Sequence, residues 1–420
     1  LREEVIEGAL SPLRRTTWRY YLVLSILALG TAWGVYAYYI QLTSGLVVTG
    51  LRDTVFWGLY ITNFVFFIGI SHAGTLISAI LRVANADWRR PITRMAEYIT
   101  VMAISVGALY PLIDMGRIDR ILNVIFYGRI QSPIVWDFIS IATYLVGSIT
   151  YLYLPLIPDL ALCRDRLKAG GLRGWLYRAL SLNWAWRTGQ RERLGRAVKI
   201  MAVIIIPVAV SVHTVVSWIF AMTFREGWRS TIFGPYFVVG AILSGIATII
   251  LIMAVFRKVY RLERIITLEH FRNLAYLMLA TDLFYIYLML NEYLTTGYLW
   301  SVHASELLGS LYWGRFAPYF WVMVLLLVVP AFIVAVPRTR RMGWIVAAAV
   351  LINISMWVKR FVIVIPTLTA TPLAPVTPVI YIPSLLEVAI TLAGFFGFGL
   401  MLALFSKLFP LISIWEVTEE

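Results

Sequence analysis

Two histidines, His72 in "FFIGISHAGTLISAI" and His213 in "VSVHTVVSWIF", stand inside stretches that are otherwise apolar. Imidazole in hydrocarbon costs free energy unless it is paired or working, so each ring is a candidate functional group. Carboxylates share this setting. Asp282 lies deep in its apolar stretch, Asp114, Asp137 and Glu292 lie toward one side, and Asp159 toward the other. Lys359 and Arg360 precede the uncharged run "FVIVIPTLTATPLAPVTPVIYIPSLL". Imidazoles and carboxylates accept and return protons near neutral pH once their surroundings tune them, so the chemistry open to this set is proton transfer within a membrane. Plainer roles exist for several. Asp137 follows Pro133 closely enough to favour a helix N-terminus electrostatically, and Lys359 and Arg360 have stems long enough to snorkel.

The elements that must hold these groups are transmembrane helices. The chain is 60% hydrophobic, 14% charged and 15% aromatic, far from a soluble globular composition. A span needs roughly 20 mainly apolar residues, and ten such spans are expected at 20–42, 54–81, 95–115, 133–157, 198–222, 233–256, 273–295, 316–336, 342–362 and 384–408. The reading is an all-α polytopic membrane protein of the cell membrane, built around two four-helix bundles. Residues 1–53 form a cytoplasmic segment and the first helix. Residues 54–222 form the first bundle with a basic loop at 158–197, 223–362 the second bundle, and 363–420 an uncharged outer loop and the last helix. The charged opening "LREEVIEGALSPLRRTTWR" is too long and too acidic for a cleavable leader.

The net charge of +14 sits mostly on one side of these spans, in the N-terminal segment and the loops at 82–94, 158–197, 257–272 and 337–341. Positive-inside bias then places both termini in the cytoplasm, N-in and C-in, and accounts for the charge without nucleic acid. The basic 158–197 loop, with Trp175, Leu176, Trp184 and Trp186, suits a surface helix in the lipid headgroups or a dock for an acidic cytoplasmic partner. A single cysteine, Cys163, excludes an internal disulfide and a cysteine-ligated cluster. No P-loop, CxxC or GxGxxG is present to bind a soluble cofactor.

Helix geometry separates some candidates. Asn63 and His72 are about 13 Å apart along an axis and on opposite faces, so one pocket receives only one of them. The face formed by Phe56, Tyr60, Asn63 and Phe67 suits a flat ligand ring. The small residues of "HAG" favour close helix approach beside the imidazole.

Six ordered motifs carry a resemblance: "WGLYITNFVFFIGISHAGTLISAILR", "SPIVWDFISIATYL", "IPDLALCRDR", "SVHTVVSWIFAM", "STIFGPYFVVGAILSGIA" and "MWVKRFVIV". They resemble the NrfD and polysulfide-reductase type of membrane subunit. With the ending "FPLISIWEV", the likeness is greatest to the ten-helix quinol-oxidising subunit of alternative complex III. The resemblance implies a haem-free, metal-free quinone or quinol site near the outer face, and an electron-carrying iron–sulfur subunit on that side. It further implies a molybdopterin-type or multihaem cytochrome subunit, a homologous membrane subunit and a terminal oxidase as partners in the bilayer. By resemblance His72, Asp137 and Asp114 are the catalytic candidates, and Thr62, Asn63, Arg117 and Arg360 the quinone-binding ones. Asp159, His213, Asp282 and Glu292 are candidates for a proton path.

Three positions depart from the family's pattern. Asp114 stands where a histidine is common, Ile219 where an aspartate is common, and Lys359 where a glutamate is common. Ile219 carries no proton, so a route through that place is closed. Two other classes fit the same inventory: an ion or solute transporter using intramembrane Asp and His, and a b-type haem carrier with His72 and His213 as axial ligands.

Overall fold

Helices satisfy their backbone polar groups within each segment, which is what an apolar chain in lipid requires. The computed structural model describes residues 2–14, 16–223, 225, 227–299, 301–370 and 380–417, and every regular element among them is helical. The α-helices in chain order are α1 (Arg2–Arg14), α2 (Trp18–Ser44), α3 (Leu59–Val83), α4 (Arg90–Asp114), α5 (Asn123–Phe126) and α6 (Pro133–Leu167). Then come α7 (Gly171–Leu180), α8 (Thr188–Ala221), α9 (Phe233–Val259), α10 (Leu268–Leu299) and α11 (Val302–Tyr312). The last four are α12 (Ala317–Ala335), α13 (Met342–Thr369), α14 (Leu385–Leu408) and α15 (Ile414–Val417).

Among the described residues, ten helices are long and apolar enough to cross a membrane, all but α1, α5, α7, α11 and α15. They coincide with the ten expected spans. Three boundaries differ in ways that matter. Helices α6 and α8 extend into the basic loop, reaching Leu167 and starting at Thr188, so that loop is mostly helix. Helix α13 runs to Thr369, with Pro366 in its final turn, where few turns remain for a proline to disturb. Of the uncharged 363–383 stretch, residues 371–379 lie outside the described ones.

Helix α3 is the centre of the protein. Its most apolar window is 88% buried, against 11% for α2 and 22% for α14. It packs along α4, α8 and α9, and α6 closes a first four-helix set against α4 and α8. Helices α9, α10, α12 and α13 form the second set, joined to the first through α3 and α8 on α9. Helices α2 and α14 pair with each other on the outside. Small residues set the close approaches, as packing in lipid favours. A Cβ on Gly74 would lie 2.3 Å from the Ala96 carbonyl oxygen of α4, and one on Gly34 2.0 Å from the Ala393 Cβ of α14.

Helix α1 packs on α14 and α15, so both ends of the described chain lie at one face, called here the α1 face; the other is the far face. A buried ionic lock closes the α1 face. Arg94 donates to Asp159 at 2.9 Å, and the Asp159 carboxylate also accepts from the backbone N–H groups of Ile414 (3.3 Å) and Trp415 (2.9 Å). Glu416 accepts from Arg82 at 2.8 Å and Arg89 at 2.7 Å. Burial pushes the Glu416 carboxyl up, but the two guanidiniums prevail and hold it below its ordinary value of 4.5. A depressed acid contributes stability that is complete above the unfolded value and lost as pH falls through the folded one. Hydrogen exchange should therefore show residues 410–417 protected from neutral pH down to 4.5 and released only at lower pH. Glu416→Gln should weaken the protection already at neutral pH. Release on raising the pH instead would reverse the assigned sign.

Candidate functional site

His72 lies at the middle of α3, on the face toward α6 and α8. Its Nδ1 is 2.7 Å from the Ile68 carbonyl oxygen one turn earlier. A carbonyl only accepts, so Nδ1 carries the proton in the neutral ring and Nε2 presents a lone pair. Tyr144 of α6 stacks on the imidazole at 4.5 Å and donates its hydroxyl to the Ser71 carbonyl at 2.9 Å. His213 of α8 packs against it in a tilted arrangement, with ring centroids 4.7 Å apart. Nε2 of His72 and both nitrogens of His213 have no hydrogen-bond partner by distance and angle, although backbone groups of Ala209 and Phe237 lie close by. Both side chains are at most 1% exposed. Rings this close leave no slot for a macrocycle between them, which removes the axial-ligand reading.

Arg360 enters from α13. The expectation that it sits near a helix end is corrected: α13 continues nine residues past it, or about 13 Å, so it is held deep in the protein rather than at an interface. Two glycines make room. A Cβ on Gly240 would lie 3.0 Å from Nη2 of Arg360, and one on Gly69 3.8 Å. The guanidinium lies over Phe237 at 5.4 Å, and Phe237 in turn touches His213 at 5.9 Å. It reaches the Tyr285 hydroxyl at 3.5 Å, leaves Nε without a partner, and has no carboxylate partner among the described residues. A buried guanidinium in this state is a donor fork ready for an oxygen ligand.

Asp137 occupies the first turns of α6, two turns before Tyr144 and on the same face, about 10 Å nearer the far face. It is 7% exposed, and its Oδ1 has no partner. Aromatic rings roof this end of the bundle. Trp57, Phe220 and Trp228 meet edge-on or tilted at 5.0–5.8 Å, and Phe220 touches Phe237 at 5.8 Å. The Trp228 indole N–H is anchored on the Ile363 carbonyl at 2.6 Å. His72, His213 and Arg360 thus cluster with unbonded polar atoms beside Phe237, while Asp137 lies two turns along α6 toward the aromatic rings of Trp57, Phe220 and Trp228.

The other candidates fall elsewhere. Asn63 faces away from His72, as its spacing requires. It donates to Thr391 at 2.8 Å and accepts from the Trp357 indole at 2.8 Å, tying α3 to α13 and α14. The Thr62 hydroxyl returns to the Gly58 carbonyl at 3.0 Å. Asp114 lies at the end of α4, within electrostatic reach of Glu387 and Tyr60 on the α2–α14 side. Arg117 is exposed and pairs with Asp119 at 3.0 Å, away from the buried groups. Asp159 is committed to the ionic lock. Asp282 and Glu292 belong to the second bundle, Asp282 with both oxygens unbonded.

Four buried acids or bases were not among the expected groups, Glu416 of the ionic lock and three more. Glu97 of α4 accepts from Ser78 at 3.0 Å and keeps Oε2 free of partners, one and a half turns below His72 on α3. Its place inside the apolar 95–115 run is the sequence signal for it. Glu387 accepts from Gly50 N–H (2.6 Å), Ser384 N–H (2.8 Å) and the Tyr381 hydroxyl (2.6 Å), pinning the segment before α3. The Ser384–Glu387 spacing ahead of an apolar run is a capping-box signal. Arg94 has no such local signature, since its partners come from distant segments.

Comparison with known proteins fits this arrangement. The family model for polysulphide reductase, NrfD, matches residues 47–372, from before α3 to beyond α13. The chain is 33% identical over 230 residues to a protein of Halobacterium salinarum provisionally named as a membrane component of dimethyl sulfoxide reductase, covering 54% of this chain and 50% of that one. It therefore spans about half of that relative's length. It is 25% identical over 362 residues to a component of the selenate reductase of Mesobacillus selenatarsenatis (84% and 82% of the two chains). It is 25% identical over 358 residues to the Hdr-like menaquinol oxidoreductase integral membrane subunit of Archaeoglobus fulgidus (83% and 79%).

Proposed function

The chain belongs to the polysulphide reductase NrfD family, and from that premise we propose that it is the quinone-reactive membrane subunit of a multi-subunit oxidoreductase. The observation that carries the reading is the facing His72–His213 pair, three of whose four ring nitrogens are unbonded, beside an Arg360 with no carboxylate partner among the described residues. A quinone supplies two-electron, two-proton chemistry through a flat ring with an oxygen at each end. The unbonded atoms on His72, His213, Asp137 and Arg360 are acceptors and donors of the kinds such oxygens need, and aromatic side chains lie beside them.

Each residue then has a definite task. Nε2 of His72 takes the proton of a hydroxyl, or returns one to a carbonyl oxygen, while Ile68 holds the Nδ1 proton in place. His213, with no fixed bond, accepts or donates at either nitrogen. Asp137 is the acceptor nearest the far face and carries protons toward it. Arg360 orients the ring oxygen and stabilises negative charge on it. One buried cysteine, Cys163, is too few thiols for a cluster, so the electrons pass to a partner. That partner is an iron–sulfur subunit at the far face, which the charge asymmetry makes the outer side, with both ends of this chain in the cytoplasm. The ordered motifs through "FPLISIWEV" favour the alternative-complex-III type of assembly, with a molybdopterin-type or multihaem cytochrome subunit and proton movement coupled to turnover.

Purification from native membranes in mild detergent tests the reading. An iron–sulfur protein should co-purify with this chain, and the complex should turn over quinol or quinone with an artificial electron partner. Quinone turnover should be absent from the chain alone. An isolated chain that transports an ion or solute, indifferent to quinone, would overturn the proposal.

A further inference from the structure

The second bundle holds a cavity of about 30 Å³ measured to water centres, lined by Tyr236, Glu292, Tyr293, Lys359, Leu307 and Leu311 among others. A water needs roughly 10–15 Å³ on that measure, so there is room for about two. Glu292 is 5% exposed and Lys359 1%. They face the same space without a direct ion pair: Lys359 Nζ donates instead to the Tyr293 hydroxyl at 2.7 Å and lies 5.3 Å from the Tyr236 ring centroid. Glu292 Oε2 has no partner, with Ser230 at its flank, and the Tyr236 hydroxyl has none of good geometry. Buried polar atoms rarely stay unbonded, and a polar cavity of this size is the setting in which water bridges them.

We propose that Glu292, Lys359 and the water of this cavity form a second proton-binding site, electrically linked to the histidine site through Arg360. This rests on the quinone reading above. A carboxylate and an ammonium together are neutral, so one added proton, taken by the Glu292 carboxylate to give the acid, changes the site's charge by one. Arg360 neighbours Lys359 on α13 and points the other way, over Phe237 toward His213. Between them Tyr285 accepts from Arg360 and stacks on Tyr236 at 4.7 Å. Among the described residues, Tyr236 of α9, Tyr285 and Tyr293 of α10 and Arg360 of α13 are the ionisable groups around the pair; α11 contributes leucines to the cavity and Tyr312, which packs on Tyr293 at 6.2 Å. Negative charge arriving at Arg360 in the first bundle offsets the guanidinium. The neighbouring pair then binds a proton from the cavity water, and returns it when that charge leaves. The cavity reaches Thr367 in the last turn of α13, so this exchange is with the far face.

Redox-difference infrared spectroscopy on the purified complex reads this directly. Wild type should show quinone bands and a deuterium-sensitive C=O stretch of a protonated carboxyl group. In Glu292→Gln the carboxyl band should fall to baseline, while Asp53→Asn, on an exposed loop, should keep it. Quinone bands with the carboxyl band intact in Glu292→Gln would overturn the proposal and leave the quinone reading standing. Absence of quinone bands from wild type would overturn that reading and the proposal with it. If Glu292→Gln does not assemble, Tyr236→Phe keeps both charges and removes one hydroxyl from the cavity, and it should shift the carboxyl frequency. An unshifted band would then sink the proposal.

Discussion

Asp137→Asn should cut quinone-dependent turnover of the assembled complex about 100- to 10,000-fold, the usual cost of removing a positioned acid–base group. The amide keeps the shape and the hydrogen-bonding capacity of the side chain and loses its basicity. Because Oδ1 of Asp137 has no partner to lose, the substitution should leave assembly and thermal stability near those of wild type. His72→Gln should act in the same direction less severely, since His213, at 4.7 Å, offers a second imidazole for the same proton. Asp87→Asn, in a solvent-facing pair with Arg90, is the silent control. Turnover is measured with quinol or quinone and an artificial electron partner on complexes whose constituent proteins have been checked. If Asp137→Asn assembles and runs at the wild-type rate, Asp137 merely favours the start of α6. Glu97 then becomes the next carboxylate to test, since its Oε2 is also free and it lies on the α1-face side of His72.

The second large effect is on stability. Asp159→Asn leaves the fully buried Arg94 guanidinium without its counter-charge, and breaking a buried pair in this way costs about 3–5 kcal/mol. The loss should appear as a lowered thermal midpoint of the detergent-solubilised complex and as exchange of the Ile414 and Trp415 amides, which donate to Asp159 in the intact protein. Arg94→Met added to Asp159→Asn should recover part of the midpoint, because no unpaired charge then remains. A role in a proton path, the expectation raised by resemblance, makes the opposite forecast: slowed turnover with an unchanged midpoint and protected amides. The two outcomes are separable in one preparation.

The ten spans and the exceptional place of His72 were legible because both depend on composition along the chain: apolar length marks the helix, and a lone imidazole marks an exception within it. Which groups meet was not. Asn63 and His72 share α3, and their spacing correctly puts them on opposite faces. Nothing local says that the Asn63 face meets Trp357 and Thr391, whereas the His72 face meets Tyr144 and His213. Lys359 and Arg360 fall beside the end of the span expected at 342–362, because the apolar run continues into a proline-rich stretch with no marked boundary. A proline in the final turn is nonetheless compatible with a helix reaching Thr369. Asp159 and Asp137 look alike as intramembrane acids on one helix. Their difference lies in what approaches from elsewhere, a guanidinium and two amides for one, no cation among the described residues for the other. The Gly69 and Gly240 positions that admit Arg360 are equally silent in sequence, since a glycine in a membrane helix has many uses.

The ionic lock at the α1 face orders events during biosynthesis. Residues 410–417 leave the ribosome after all ten spans, yet they provide the Ile414 and Trp415 amides for Asp159 and the Glu416 carboxylate for Arg82 and Arg89. Until they arrive, Arg82 and Arg89 lack the Glu416 carboxylate and Asp159 holds Arg94 without its two amide donors, so the α1 end of the first bundle cannot close before the last segment is made. Closing the lock ties the C-terminal segment to α3, α4 and α6 at once. A chain stopped before Ile414 therefore has its candidate spans but neither the counter-charge for Arg82 and Arg89 nor the two amides that Asp159 accepts from, and its first bundle is left unsealed at that end.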